Sequence, residues 1–151
     1  MIELIIVIVL ASILGTFVFQ IVTNSLNTLI TMRTRKERAD DAIMTLEKIS
    51  REVRESKSIT TASGSTLTFE KNVTSSSDTN TVVRYMLDSG TIRRESATGP
   101  GGLGGSTSGD IVAENVSYFK VTNTSDRVDI ELTFTNGSEW ETKIYPRNYG
   151  L

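Results

Sequence analysis

The sequence predicts an α+β fold: one long N-terminal α-helix, apolar in its first half and amphipathic in its second, packed on a single antiparallel β-sheet. Three observations carry this expectation. From Leu4 to Phe19 only Ser12, Gly15 and Thr16 are not plainly apolar, and Ile21 and Val22 extend the run past Gln20. Further on, Ala42, Ile43, Leu46, Ile49 and Val53 recur at the three-and-four spacing of one helix face. Beyond Ser58 the composition turns to Ser, Thr, Gly and β-branched residues in short, strand-like runs.

The apolar run has the length of a membrane span, for which about 20 mostly apolar residues suffice. A cleavable secretory signal would have a basic start and a shorter apolar core of about 7–15 residues, so the run is read as retained. It also carries an acid near its start, Glu3. Residues 23–31 contain neither Pro nor Gly and keep Leu26, Leu29 and Ile30 among polar groups, so the helix signal continues. In the amphipathic half, Glu47 and Arg51 form a favourable i,i+4 pair on a polar face. The expected helix covers residues 1–57 and would be roughly 80 Å long. Within it, residues 1–22 form the membrane or filament-core segment, and residues 58–151 form a β-rich head.

Strands are expected at 66–71, 81–88, 91–95, 116–122, 127–135 and 139–145. The clearest alternation is Val128, Ile130, Leu132 and Phe134 against Asp129, Glu131 and Thr133, the pattern of a sheet with one buried face. Its expected partner is the run from Trp140 to Tyr145, reached through Asn136-Gly137. A second hairpin should turn at Asp88-Ser89-Gly90. Residues 72–80 read as one exposed turn, and the Gly-rich stretch 99–109 as a flexible excursion. The obvious cover for the sheet is the stripe Ile43, Leu46, Ile49, Val53.

Composition narrows the chemistry. The net charge is −2, from 16 Lys and Arg against 18 Asp and Glu, which gives no electrostatic footprint for nucleic acid. Zero Cys and zero His remove thiol nucleophiles, thiolate metal sites and the commonest general base. No nucleophile–base pair or phosphate-binding loop is present, so the chain is not expected to be an enzyme and no cofactor is expected. Asp110, Asp126 and Asp129 lack the spacing of a calcium loop and read as turn chemistry.

The run Met1-Ile2-Glu3-Leu4-Ile5-Ile6-Val7-Ile8-Val9-Leu10, with Gly15 and the long amphipathic helix that follows, resembles the type IV pilin and type II secretion pseudopilin superfamily. A weaker resemblance, carried by residues 83–95, 111–116 and 145–148, is to minor pilins and pseudopilins of the W and J type. The resemblance implies a prepilin cut by a prepilin peptidase and methylated at its new N-terminus, held in the bacterial inner membrane with its head outside the cytoplasm. An inner-membrane machinery then assembles it with itself and other pilin-like subunits into an extracellular or periplasmic filament. Leu4, Ile5, Val7, Ile8, Leu10, Ala11, Ile13, Leu14, Phe17 and Val18 would pack the filament core. Glu3 would pair with the N-terminal amine of a neighbouring subunit and set the register. It lies nearer Met1 than the family's glutamate lies to the mature start, so two residues, Phe-Thr, and a basic leader are expected upstream.

The physical case for Glu3 is that an unpaired carboxylate is very unfavourable in an apolar medium and a partner amine offsets much of that cost. On position alone the headgroup edge of a span fits it equally well. Where the family commonly has Pro in mid-helix, this chain reads Phe17-Val18-Phe19-Gln20-Ile21. Ser12, Gly15 and Thr16 give a weaker site for bending or local unwinding, or equally a place for close helix packing. Arg33, Arg35, Lys36 and Arg38 would be cytoplasmic by the positive-inside rule, against the family's orientation, and read as helix surface or as an interface with acids of neighbours. Four Asn-x-Ser/Thr triplets start at Asn72, Asn115, Asn123 and Asn136, as chance allows in a Ser/Thr-rich chain. The alternative function is a signal-anchored periplasmic binding or sensing module that does not polymerise.

Overall fold

The computed structural model describes residues 2–72, 79–104, 109–124 and 126–147. Helix α1 runs unbroken over Ile2–Arg54. The chain separates into two compact units, Met1–Ala39 and Asp40–Leu151, so the division falls inside the helix and not at its end. Burial explains the place. Every described residue up to Glu37 is exposed, whereas Ala42, Thr45, Leu46, Ile49 and Val53 are buried.

Those five positions fall within an arc of about 100° on the helix, the width of a core-facing stripe. Ile43 was expected in that stripe and is not part of it. It lies about 100° around the helix from Ala42 and stays 52% exposed, while the small Ala42 takes the close approach at 0%. The helix also stops earlier than expected. The Ser56 hydroxyl, buried, donates to the Val53 carbonyl at 2.7 Å, and the Arg147 amide donates to the Arg54 carbonyl at 3.3 Å. These bonds satisfy two of the carbonyls that a helix end leaves open.

Eight strands follow: β1 Ser56–Gly64, β2 Thr66–Lys71, β3 Val82–Asp88, β4 Thr91–Ala97, β5 Asp110–Glu114, β6 Val116–Asn123, β7 Val128–Phe134 and β8 Glu139–Ile144. Their order is β5-β4-β3-β2-β1-β6-β7-β8, and every pairing is antiparallel. The join between β1 and β6 is only Ser63↔Thr122 and Gly64↔Val121, so the sheet is a five-stranded part seamed to a three-stranded part. Helix packed on antiparallel sheet is thus the architecture, with β1 and β5 added to the six strands expected. The exposed turn expected at residues 72–80 lies, for 73–78, outside the described residues.

The two anticipated turns differ in detail but share their cause. Ser89 and Gly90 link β3 to β4 with φ of 49° and 81°, the left-handed pair that a two-residue hairpin demands. At the β7–β8 turn Gly137 has φ of 80°. Register then places Leu132 opposite Trp140 and Val128 opposite Ile144.

Inward side chains from both parts of the sheet make one core with the helix stripe: Leu67, Phe69, Val83, Tyr85 and Ile92 from one part, and Phe119, Val121, Ile130, Leu132 and Ile144 from the other. Phe69 and Tyr85 stack with ring centroids 6.3 Å apart. A polar node is set into this layer. Tyr85 donates to Glu52 at 3.0 Å, and Arg94 Nε lies 3.1 Å from both Glu52 oxygens. Burial, and then the Glu52 charge, push the Tyr85 hydroxyl well above the ordinary 10.0. Burial opposes the Arg94 charge, but the hydrogen bond and charge of Glu52 outweigh it and the net shift is upward.

On the opposite face of β3 and β4, Arg84 Nε donates to Glu95 at 2.9 Å, and Arg84 Nη2 reaches both Glu95 and the Gly104 carbonyl. Glu95 is only 4% exposed. The stretch expected to be a flexible excursion therefore folds onto this face in its described parts: Pro100–Gly102 forms a single 3-10 turn, and Gly104 is tied to Arg84. At Gly109, φ is 104° and an added Cβ would come within 2.6 Å of the Arg94 carbonyl oxygen. That position needs glycine.

Three outcomes follow for stability, all read by urea denaturation of the full chain in detergent micelles, with Trp140 as the reporter fluorophore. Tyr85→Phe should cost about 1.5–3 kcal/mol at neutral pH, the worth of a hydrogen bond to a charged group. Because the folded value of Tyr85 lies above its unfolded value, its contribution is fully present below pH 10.0 and is lost as pH rises through the folded value. The wild-type protein should therefore lose stability above that pH at up to about 1.4 kcal/mol per unit relative to Tyr85→Phe. Arg84→Ala, which strands the buried Glu95 carboxylate, should cost about 3 kcal/mol, more than Arg84→Met combined with Glu95→Leu.

Candidate functional site

The residues singled out at the N-terminus share one property in the structure. Leu4, Ile5, Val7, Ile8, Leu10, Ile13, Leu14, Phe17 and Val18 are all 48% exposed or more, and they point in every direction around α1. Among the described residues, none before Ala42 belongs to the core cluster. An 18-residue window of this helix has a mean hydropathy of 2.7 and none of it is buried, so the helix is long and apolar enough to cross a membrane. A single exposed apolar side chain needs no explanation, but a continuous sleeve of them requires a cover other than water.

The helix is prepared for a dry environment by its own hydroxyls. Ser12 donates to the Ile8 carbonyl at 2.8 Å and Thr16 to the Ser12 carbonyl at 2.6 Å. Thr23, Ser25, Thr28, Thr31 and Thr34 do the same four residues back, at 2.8–3.1 Å. Every Ser and Thr from residue 1 to residue 40 thus closes a bond inside the helix. An unpaired hydroxyl in hydrocarbon would cost several kcal/mol. These side chains avoid that cost. The backbone stays helical through Gly15, with no unwound segment at Ser12, Gly15 and Thr16. Nothing lies within 4 Å of the Gly15 Cβ position, which leaves that surface open for another helix.

Glu3 sits in the first turn of α1 and is exposed. Free amides and the helix dipole favour an anion there. Arg33, Arg35 and Lys36 are exposed as well. Apolar exposure does not end with the span: Leu26, Leu29, Ile30 and Met32 are 54%, 62%, 64% and 62% exposed.

No family model, curated protein or solved structure matches this chain. The remaining candidates from the sequence resolve as follows. Leu46, Ile49 and Val53 pack in the core and Ile43 does not. Asp129 pairs with Arg127 at 3.0 Å, and among the described residues no group of three metal-ligating side chains comes together. Glu52 was missed as an organising residue. Its only signal was a position one residue from Val53 on a helix whose other acids face solvent.

Gly15→Ala should leave the chain in micelles folded and gain up to about 1 kcal/mol of helix propensity. Circular dichroism and thermal melting of the full chain check this. A melting temperature lower than wild-type would show that Gly15 is already in close contact within the chain.

Proposed function

We propose that the chain is a structural subunit of a type IV pilus-like filament or pseudopilus, polymerising through α1. The observation that carries the reading is the extent of the exposed apolar surface. A bare membrane anchor needs about 20 apolar residues. Here the apolar side chains continue beyond Val22 to Leu26, Leu29, Ile30 and Met32, all exposed. A simple anchor would leave these last four in water, whereas packed neighbouring helices cover them together with the span.

The mechanism follows from the two media. Before assembly the sleeve of residues 4–22 sits in the inner membrane, after action of a prepilin peptidase. Assembly machinery then exchanges lipid for the α1 helices of other copies and related subunits. Leu, Ile, Val and Phe side chains supply packing contact but little register, since sliding one apolar sleeve along another changes the contact little. Glu3 supplies the register: in the filament core its carboxylate is stabilised only where a neighbour's N-terminal amine meets it. Misplaced subunits leave both charges unpaired.

The test is incorporation of Glu3→Gln and Glu3→Ala subunits into filaments in cells, scored against membrane insertion of the same subunits. Both variants should insert normally and enter filaments at least about tenfold less than wild-type, equivalent to about 1.4 kcal/mol or more per subunit. Incorporation at the wild-type level would overturn the register role. A chain that inserts but is never found in filaments, even as wild-type, is a signal-anchored periplasmic module.

A further inference from the structure

We propose that Asn136 is an acceptor for N-linked glycan on the folded head. Asn136-Gly137-Ser138 is one of four Asn-x-Ser/Thr triplets in the chain, a motif that marks a glycan acceptor only where the surrounding structure presents it. The structure separates these triplets. Those starting at Asn72 and Asn123 run into residues outside the described set. The two that are described throughout, at Asn115 and Asn136, differ in what it takes to offer them to an enzyme.

A transferase that modifies asparagine must take the triplet into its own site, so the triplet has to leave the fold locally. At Asn136 little holds it. The residues 135–137 are exposed at the tip of the β7–β8 turn. The bonds to be opened are Phe134 N to Ser138 O at 3.0 Å, Gly137 N to Phe134 O at 2.9 Å, and Ser138 N to Asn136 Oδ1 at 3.0 Å. The last of these uses the oxygen of the side-chain amide. Among the described residues no hydrogen bond engages its Nδ2, the reacting atom, or the Ser138 hydroxyl.

At Asn115 the triplet is built into the sheet. Asn115 has a φ of 59° and its carbonyl accepts the Thr135 amide at 2.8 Å. Val116 is 1% exposed in the core and its amide donates to Gly90 at 2.9 Å. The Ser117 hydroxyl donates to the Thr133 carbonyl at 3.1 Å. Offering this triplet would pull Val116 from the core and part β6 from β7.

The donor class is an oligosaccharide linked through pyrophosphate to a polyprenyl lipid. Asn136 Nδ2 bonds to C1 of the first sugar while the bond from C1 to the pyrophosphate oxygen breaks. The lipid pyrophosphate leaves with the electron pair, and Nδ2 gives up one proton. Nothing is oxidised or reduced. The proposal concerns the head alone and stands or falls independently of filament assembly.

The experiment treats the full chain, folded in detergent micelles, with a purified oligosaccharyltransferase that requires only Asn-x-Ser/Thr and a lipid-pyrophosphate-linked oligosaccharide. Glycopeptide mass spectrometry reads site occupancy, with a control acceptor peptide in the same reaction. Synthetic peptides spanning each triplet set the intrinsic preference. Relative to those peptides, Asn136 should be occupied at least roughly tenfold more than Asn115 in the folded chain, the scale set by the difference in local opening. Occupancy at 136 should vanish in Asn136→Gln and Ser138→Ala and persist in Ser138→Thr, with circular dichroism confirming the fold of each. An unmodified Asn136 beside a modified control peptide, or Asn115 occupied as fully as Asn136, would overturn the proposal.

Discussion

The stripe of Ala42, Thr45, Leu46, Ile49 and Val53 has to meet a sheet, while the residues from Leu4 to Val22 have to meet something the core of the chain does not supply. One backbone therefore serves two kinds of neighbour. In the second unit a narrow apolar arc is matched by the inward faces of eight strands, and its polar flanks stay wet. In the first, residues 4–22 form no arc, because apolar side chains occupy the whole circumference there. The change of pattern sets where the compact units divide, and it makes the head's stability a matter of its own core.

Charge is used inside the head to fix positions. Glu52 brings the helix against Arg94 and Tyr85 on β4 and β3, and Arg84 with Glu95 does the corresponding work on the other face, where the Gly-rich segment is tied down. Desolvating such groups consumes much of what their pairing contributes, so ion pairs of this kind are weak as net stabilisers. Their geometric demand is nonetheless strict. A helix slid by one turn along the sheet would carry Glu52 away from both partners at once, whereas apolar contacts would change much less.

The strongly periodic parts of the fold were legible in the sequence. β7 alternates without error, and the two hairpin turns each carry a glycine, Gly90 and Gly137, where left-handed backbone is cheapest. β1 was not legible because Ser, Thr and Ala fill it, leaving Ile59 and Ala62 half-buried and no alternation strong enough to read. Its two register shifts disturb the period further. β5 is five residues long and follows a Gly-rich stretch, so it carried too little pattern to stand out. The sequence placed both Ala42 and Ile43 on the apolar face but chose Ile43 for the sheet-covering stripe, since hydrophobicity favours Ile over Ala while close approach to the sheet favours the smaller side chain. Of the candidate site, the apolar sleeve and Glu3 were visible from residue types alone. The Glu52 node was not, because an acid on an amphipathic helix looks the same whether it faces water or an arginine.

The inward-bonded hydroxyls of α1 have a consequence for how the helix changes surroundings. Seven polar side chains between Ser12 and Thr34 spend their donors on their own backbone. To a lipid tail or to a neighbouring Leu, such a helix presents nearly the same skin. Moving it between the two breaks none of these seven hydrogen bonds and strands none of their donors, so for these residues the exchange trades one set of dispersion contacts for another. Those seven side chains are in that sense solvent-indifferent, so a preference about where the span comes to rest falls to the Gln20 amide within it and the carboxylate at its tip.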